Sequence, residues 1–88
     1  MAETMKTVLE YDEAVDALYL EFARLPIARQ DRLDDARIVD FAADGSVVGV
    51  EILSPSRGVD LAGLPNRADI ERVLRARGFP IGRTARAS

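Results

Sequence analysis

The stretch Arg37-Ile38-Val39-Asp40-Phe41-Ala42-Ala43-Asp44-Gly45-Ser46-Val47-Val48-Gly49-Val50-Glu51-Ile52-Leu53 decides the fold. Arg37 to Ala42 reads as a strand with Ile38 and Val39 at its centre. Asp44-Gly45 supplies the positive φ that a tight hairpin turn needs. Ser46 to Leu53 completes the hairpin, with Val48, Val50 and Ile52 on one face. Gly49, on the other face, leaves a gap where a neighbouring backbone or ring can approach.

Upstream, Met5 to Tyr11 is rich in β-formers, and Val15 to Phe22 alternates so that Leu18, Leu20 and Phe22 share a face opposite Ala17, Tyr19 and Glu21. These two segments form a hairpin across Asp12-Glu13-Ala14. The run Glu-Ala-Val-Asp-Ala-Leu also favours a helix over 13–24, but the alternation and short length favour a strand. Leu25-Pro26 breaks the pattern. Residues 27–35 read either as a loop or as a polar edge strand with Ile27, Arg29, Asp31 and Leu33 on one side.

Ser54-Pro55-Ser56-Arg57-Gly58 is the one clear break, and a helix with both ends marked follows it. Asn66 is the expected N-cap, with Asp69 completing an approximate capping box. Ile70, Val73 and Leu74 form its apolar stripe. Gly78 falls where a left-handed residue ends a helix, Pro80 prevents resumption, and Phe79 is placed to touch Leu74. The expectation is one α+β domain over residues 1–88, a four- to five-stranded antiparallel β-meander packed against a C-terminal α-helix. It divides into a sheet core (5–54), a linker (55–65), the helix and its flank (66–82), and a frayed tail (83–88). The helix, with Leu61, Leu64, Phe79 and Ile81, covers the apolar sheet face. An outer face carrying Leu9, Tyr11, Tyr19, Phe41 and Leu53 is the expected interface, and a homodimer through that face or through a strand edge is expected.

Composition excludes much chemistry. The 88 residues contain neither cysteine nor histidine. Thiol nucleophiles, zinc-thiolate sites, serine–histidine triads and histidine-bound haem are therefore excluded. No glycine-rich phosphate loop is present, and no cofactor is expected. The first residues lack the basic and apolar regions of a signal peptide, Met5 offers an alternative start, and no run is long and apolar enough to cross a membrane. A cytoplasmic protein is the expectation.

The net charge of −3 divides into −7 over residues 1–54 and +4 over residues 55–88. Every base in the second part is arginine: Arg57, Arg67, Arg72, Arg75, Arg77, Arg83 and Arg86. Intramolecular complementarity and a solvated helix face account for them most simply, while contact with nucleic acid through the helix is the alternative. Carboxylates are the remaining catalytic candidates. Asp12, Glu13 and Asp16 cluster at the first turn, Asp34 and Asp35 precede the third main strand, and Asp40 interrupts Ile-Val-Asp-Phe. Asp40 either points inward and needs a partner, most simply Tyr11, Tyr19 or an arginine, or it faces solvent with Ile38. The solvent-facing choice is preferred, and turn and solubility roles are preferred for the other acids.

Taken together, Glu10-Tyr11-Asp12, Asp16-Ala17-Leu18-Tyr19-Leu20, Ile38-Val39-Asp40-Phe41, Asp44-Gly45 and Val47-Val48-Gly49-Val50-Glu51-Ile52-Leu53 resemble the prokaryotic family called domain of unknown function 2283, over roughly residues 5–56. The resemblance implies a compact β-rich domain with no catalytic residue to carry over. It also implies, for members paired with a small toxin-like protein, an antitoxin-like binding role. The function expected is that of a non-enzymatic interaction domain, a homodimer with a possible small protein partner; nucleic acid is the second choice and a carboxylate or metal-dependent enzyme the third.

Overall fold

The computed structural model describes residues 6–82, and the expected tail at 83–88 lies outside them. Five antiparallel strands form one sheet: β1 (Val8–Asp12), β2 (Ala17–Glu21), β3 (Arg29–Asp34), β4 (Arg37–Phe41) and β5 (Val47–Leu53). A 3-10 turn at Pro55–Arg57 and a helix, α1 (Arg67–Ala76), follow. This is the α+β arrangement read from the sequence. The strand order is β1-β2-β5-β4-β3, so β3, β4 and β5 form a meander while β2 pairs with β5 rather than with β3.

Side-chain character explains the order. β5 is the longest and most apolar strand, and its Val50 and Ile52 are fully buried, so it takes the centre. β3 reads Arg-Gln-Asp-Arg-Leu-Asp, is exposed at all six positions, and takes an edge. The open question over residues 27–35 is thus resolved as an edge strand, with a register shift between Arg32 and Asp34 that leaves Leu33 out of the pairing.

The first turn is one residue longer than expected. Glu13 to Asp16 form it, Asp12 pairs with Ala17, and Val15 is exposed in the turn rather than in a strand. Asp16 closes it in the left-handed region (φ 52°), and the Asp12 carboxylate accepts the Ala14 N–H at 3.1 Å. Because successive side chains alternate, the shift in pairing changes which face Leu9 and Tyr11 occupy. Leu9 pairs with Leu20, and Tyr11 with Leu18, on the helix side.

One sheet face is covered. Leu9, Leu18, Leu20, Val39, Val50 and Ile52 pack against Ile70 and Leu74 of α1. Residues 55–65 are not a bare linker, because Val59, Leu61 and Leu64 are buried in the same core. Val59 also bridges Ile81, donating to the Pro80 carbonyl at 2.9 Å. The Arg37 guanidinium clamps this segment to the sheet. It donates to the carbonyls of Asp60 (2.9 Å) and Ala62 and pairs with Asp34 at 2.9 Å.

The helix ends as expected and starts differently. Gly78 is left-handed (φ 82°), Gly78 N–H donates to Arg75 and Phe79 N–H to Leu74, which together satisfy two of the last carbonyls. Asn66 is the N-cap but sits in the left-handed region (φ 53°) and makes no side-chain cap bond. The Asp69 carboxylate is taken by the Thr7 hydroxyl and Arg72 instead, which ties the helix start to the chain entering β1. Leu74 is fully buried at the centre of this layer. Leu74→Ala is expected to cost about 2–5 kcal/mol through lost transfer energy and an unfilled cavity. A urea titration reads this as a lower midpoint with an unchanged slope.

Candidate functional site

Among the described residues no helix lies over the second sheet face, and the register orders its side chains into rows. One row runs Glu10, Tyr19, Glu51, Ile38, Arg32 across β1, β2, β5, β4 and β3. The next runs Val8, Glu21, Gly49, Asp40, Gln30. Tyr19 joins them. Its ring lies over Gly49, and its hydroxyl donates to Asp40 Oδ2 at 2.9 Å. Gln30 Nε2 donates to Asp40 Oδ1 at 2.7 Å.

Asp40 is therefore buried (2% exposed), which corrects the preferred reading that it faces solvent with nothing to explain. Its side chain does lie on the Ile38 side of the sheet, but Tyr19 covers it. Both carboxylate oxygens are satisfied by neutral donors, so its burial leaves no orphaned acceptor. Gly49 makes the crossing possible. A methyl group there would overlap the Tyr19 hydroxyl and sit 2.6 Å from the Leu20 carbonyl oxygen. Burial, and then the hydrogen bond to Asp40, push the Tyr19 phenol well above its ordinary range, with Glu21 and Glu51 adding to the effect.

A second polar cluster sits at the first turn. Tyr11 donates to Asp16 Oδ1 at 2.9 Å, and Ser56 Oγ to Asp16 Oδ2 at 2.6 Å. The Ser56 hydroxyl holds the Asp16 carboxyl below the usual carboxylate range, and the hydrogen bond to Asp16 raises the Tyr11 phenol. This cluster fastens the 3-10 turn to the first hairpin. Asp16 and Asp40 thus serve different partners, and no three acids among the described residues are grouped to hold a metal ion.

The five residues expected to share an outer face are not brought together. Leu9 is in the core, Tyr11 packs edge-on against Phe79 with ring centroids 4.9 Å apart, and Phe41 packs on the same core with Arg29 4.3 Å from its ring centre. Tyr19 and Leu53 lie on the uncovered face. What the sequence reading missed is the acidity of that face, where Glu10, Asp12, Glu21 and Glu51 surround Tyr19. An open concavity of about 780 Å³ wraps around the β1 edge at the first hairpin, lined by Glu10, Tyr19 and Glu51 from this face and by Leu9, Tyr11 and Arg77 from the other side. The signal was present in the alternation of acids with Tyr19, and the one-residue error in the turn hid it.

Among the described residues no arginine forms an ion pair with Glu10, Asp12, Glu21 or Glu51. Arg72 pairs with Asp69 and Arg75 with Glu71 on the helix itself, and Arg29 pairs with Asp31 within β3. Arg37 with Asp60, at 4.0 Å, is the one ion pair between the acidic and basic parts of the chain among the described residues. The complementarity expected between the two parts is mostly pairing between near neighbours. No described helix is long and apolar enough to cross a membrane.

The family model described as protein of unknown function (DUF2283) matches residues 9–56, which contain both rows of the uncovered face except Val8. No curated protein and no solved structure matches the chain.

Two outcomes follow from the geometry. Gly49→Ala forces Tyr19 off Asp40 and is expected to destabilise the fold more than Tyr19→Phe, which removes only the hydroxyl and costs about 1–3 kcal/mol; urea midpoints of the two variants test the order. The second outcome concerns pH. Asp16, Asp34, Asp44 and Asp69 are all held below their ordinary range, each first by a hydrogen bond (from Ser56, Arg37, Ser46 and Thr7 respectively). Their stabilisation is full above the unfolded-state value near pH 4 and lost as pH falls through the depressed folded values. The raised phenols act in the opposite sense, stabilising fully below about pH 10 and losing that contribution as pH rises through their folded values. The urea midpoint is therefore expected to drop on the acid side only below about pH 4. Absorbance at ~295 nm is expected to show less phenolate in the native than in the unfolded protein at about pH 10, since both phenols are raised.

Proposed function

The chain belongs to the DUF2283 family, proteins of unknown function, and from that starting point we propose that it is a non-enzymatic interaction domain that holds a basic polypeptide on the uncovered face of its sheet. The observation that carries this reading is the row Glu10–Tyr19–Glu51, an aromatic ring between two carboxylates, with Asp12 and Glu21 in the flanking rows. Such a surface offers lysine and arginine both ion pairs and a ring face. Two copies packed through it would set Glu10, Glu21 and Glu51 against like charges, so the reading takes a different, basic chain rather than a second copy. An antitoxin-like role, with a small basic protein as the partner, is one form of it.

Two observations favour this reading over its rivals. Arg72 and Arg75, which a nucleic-acid surface on the helix would use, are each paired with an acid of the same helix. Asp16 and Asp40, the central carboxylates of an enzymatic reading, are each occupied by hydroxyl or amide donors that hold the fold together.

The test is fluorescence anisotropy with a labelled octapeptide of alternating arginine and valine. Binding is expected at about 50 mM salt and is expected to weaken several-fold at about 300 mM, as screened ion pairs require. Glu10→Gln with Glu51→Gln is expected to weaken it about tenfold, on the order of 1.4 kcal/mol. An oligonucleotide of the same length is expected not to bind. Absence of peptide binding at low salt, or binding indifferent to the double substitution, overturns the proposal.

A further inference from the structure

The two edges of the sheet are treated differently. The β3 edge carries Arg29, Asp31, Arg32 and Asp34 and a break in register at Leu33, features that discourage another strand from pairing. The β1 edge carries neither a proline nor a bulge, and its register with β2 runs unbroken from Val8 to Asp12.

The side of β1 that faces outward follows from one contact. Arg77 Nη1 donates to the Leu9 carbonyl at 3.4 Å, so that carbonyl points away from β2. In an antiparallel pair the N–H and C=O of one residue point the same way, and direction alternates along the strand. Leu9 and Tyr11 therefore turn their backbone groups outward, while Val8, Glu10 and Asp12 are bonded to β2. The concavity beside the first hairpin, lined by Leu9 to Ala14 and Arg77, lies along this edge. At 3.4 Å the Arg77 contact is at the long limit for a hydrogen bond and is readily exchanged for a backbone donor.

We propose that the β1 edge accepts an extended segment of a partner protein as a sixth, antiparallel strand, bonded to the outward N–H and C=O groups of Leu9 and Tyr11. This rests on the reading of the partner as basic and specifies how it is held. The pattern of the segment follows from the faces of β1. Residues opposite Glu10 and Asp12 emerge on the uncovered face and are basic. Residues opposite Leu9 and Tyr11 emerge on the helix side, beside Phe79 and the Arg77 guanidinium, and are apolar. Backbone bonds supply affinity, and the alternating side chains supply the choice of partner.

Backbone methylation of the same arginine–valine octapeptide tests this without altering the protein. Residues directly opposite across an antiparallel pair share a face, so the valines face Leu9 and Tyr11 and their N–H groups bond to β1, while the arginine N–H groups point to solvent. N-methylation of the valines is expected to weaken binding by about tenfold or more, and N-methylation of the arginines to leave it within about twofold. If both methylated peptides bind as the parent does, contact is through side chains alone; strand addition is then wrong, and the basic-partner reading stands. Equal loss with both peptides also overturns strand addition. If the parent peptide does not bind, both readings fall.

Discussion

The uncovered face depends on one tyrosine crossing a strand that has no side chain at the crossing point. Tyr19 starts on β2, passes over Gly49 of β5 and reaches a carboxylate on β4, which Gln30 of β3 holds from the far side. Four of the five strands are thus tied together on a face over which the described residues place no hydrophobic layer. A buried carboxylate without donors would cost several kcal/mol, and here the donors come from strands on either side of it. The acids around the ring remain in water, so the face is ordered and charged at once.

The opposite face is organised by size and shape instead. Ile70 and Leu74 descend on Val50, Ile52, Leu18 and Leu20, and the segment from Val59 to Leu64 closes one side of the layer. Arg37 is what keeps that segment in place, because its guanidinium satisfies two carbonyls of a chain that has no strand partner of its own at that point. In a chain without disulfides and with so small a core, such polar clamps replace part of the hydrophobic area that a larger domain would bury.

Much of this was legible in the residues, and the failures have physical causes. The Asp44-Gly45 hairpin, the strand faces of Leu18 and Leu20, the close approach at Gly49 and the helix ending at Gly78 were all read from local chemistry, since each depends on a few neighbouring residues. The outer face was misread through Asp16. A left-handed aspartate extends the first turn by one residue, and an odd shift in pairing carries Leu9 and Tyr11 to the other side. Asp40 was misread because its cover, Tyr19, is twenty-one positions away in sequence, and nothing local announces it. Asn66 had the right place but the wrong backbone geometry, and Thr7, distant in sequence, engaged the acid meant for the capping box. Partners that lie far apart in the chain are what a local reading does not find.

The strand order has one more consequence. β3, β4 and β5 are joined by short turns, whereas β2 reaches β5 only by closing the chain at least from Glu21 to Gly49. Loop closure over that length opposes the contact, so the first hairpin is expected to be the last part of the sheet to dock and the first to leave. Its departure would uncover β5, whose Val-Val-Gly-Val-Glu-Ile-Leu is apolar, rich in β-branched residues and free of proline. Such a strand, once unpaired, is a template for aggregation. The Tyr19 crossing, by fastening β2 to β5 and β4, is therefore also what keeps the most adhesive segment of the chain out of reach of its own copies.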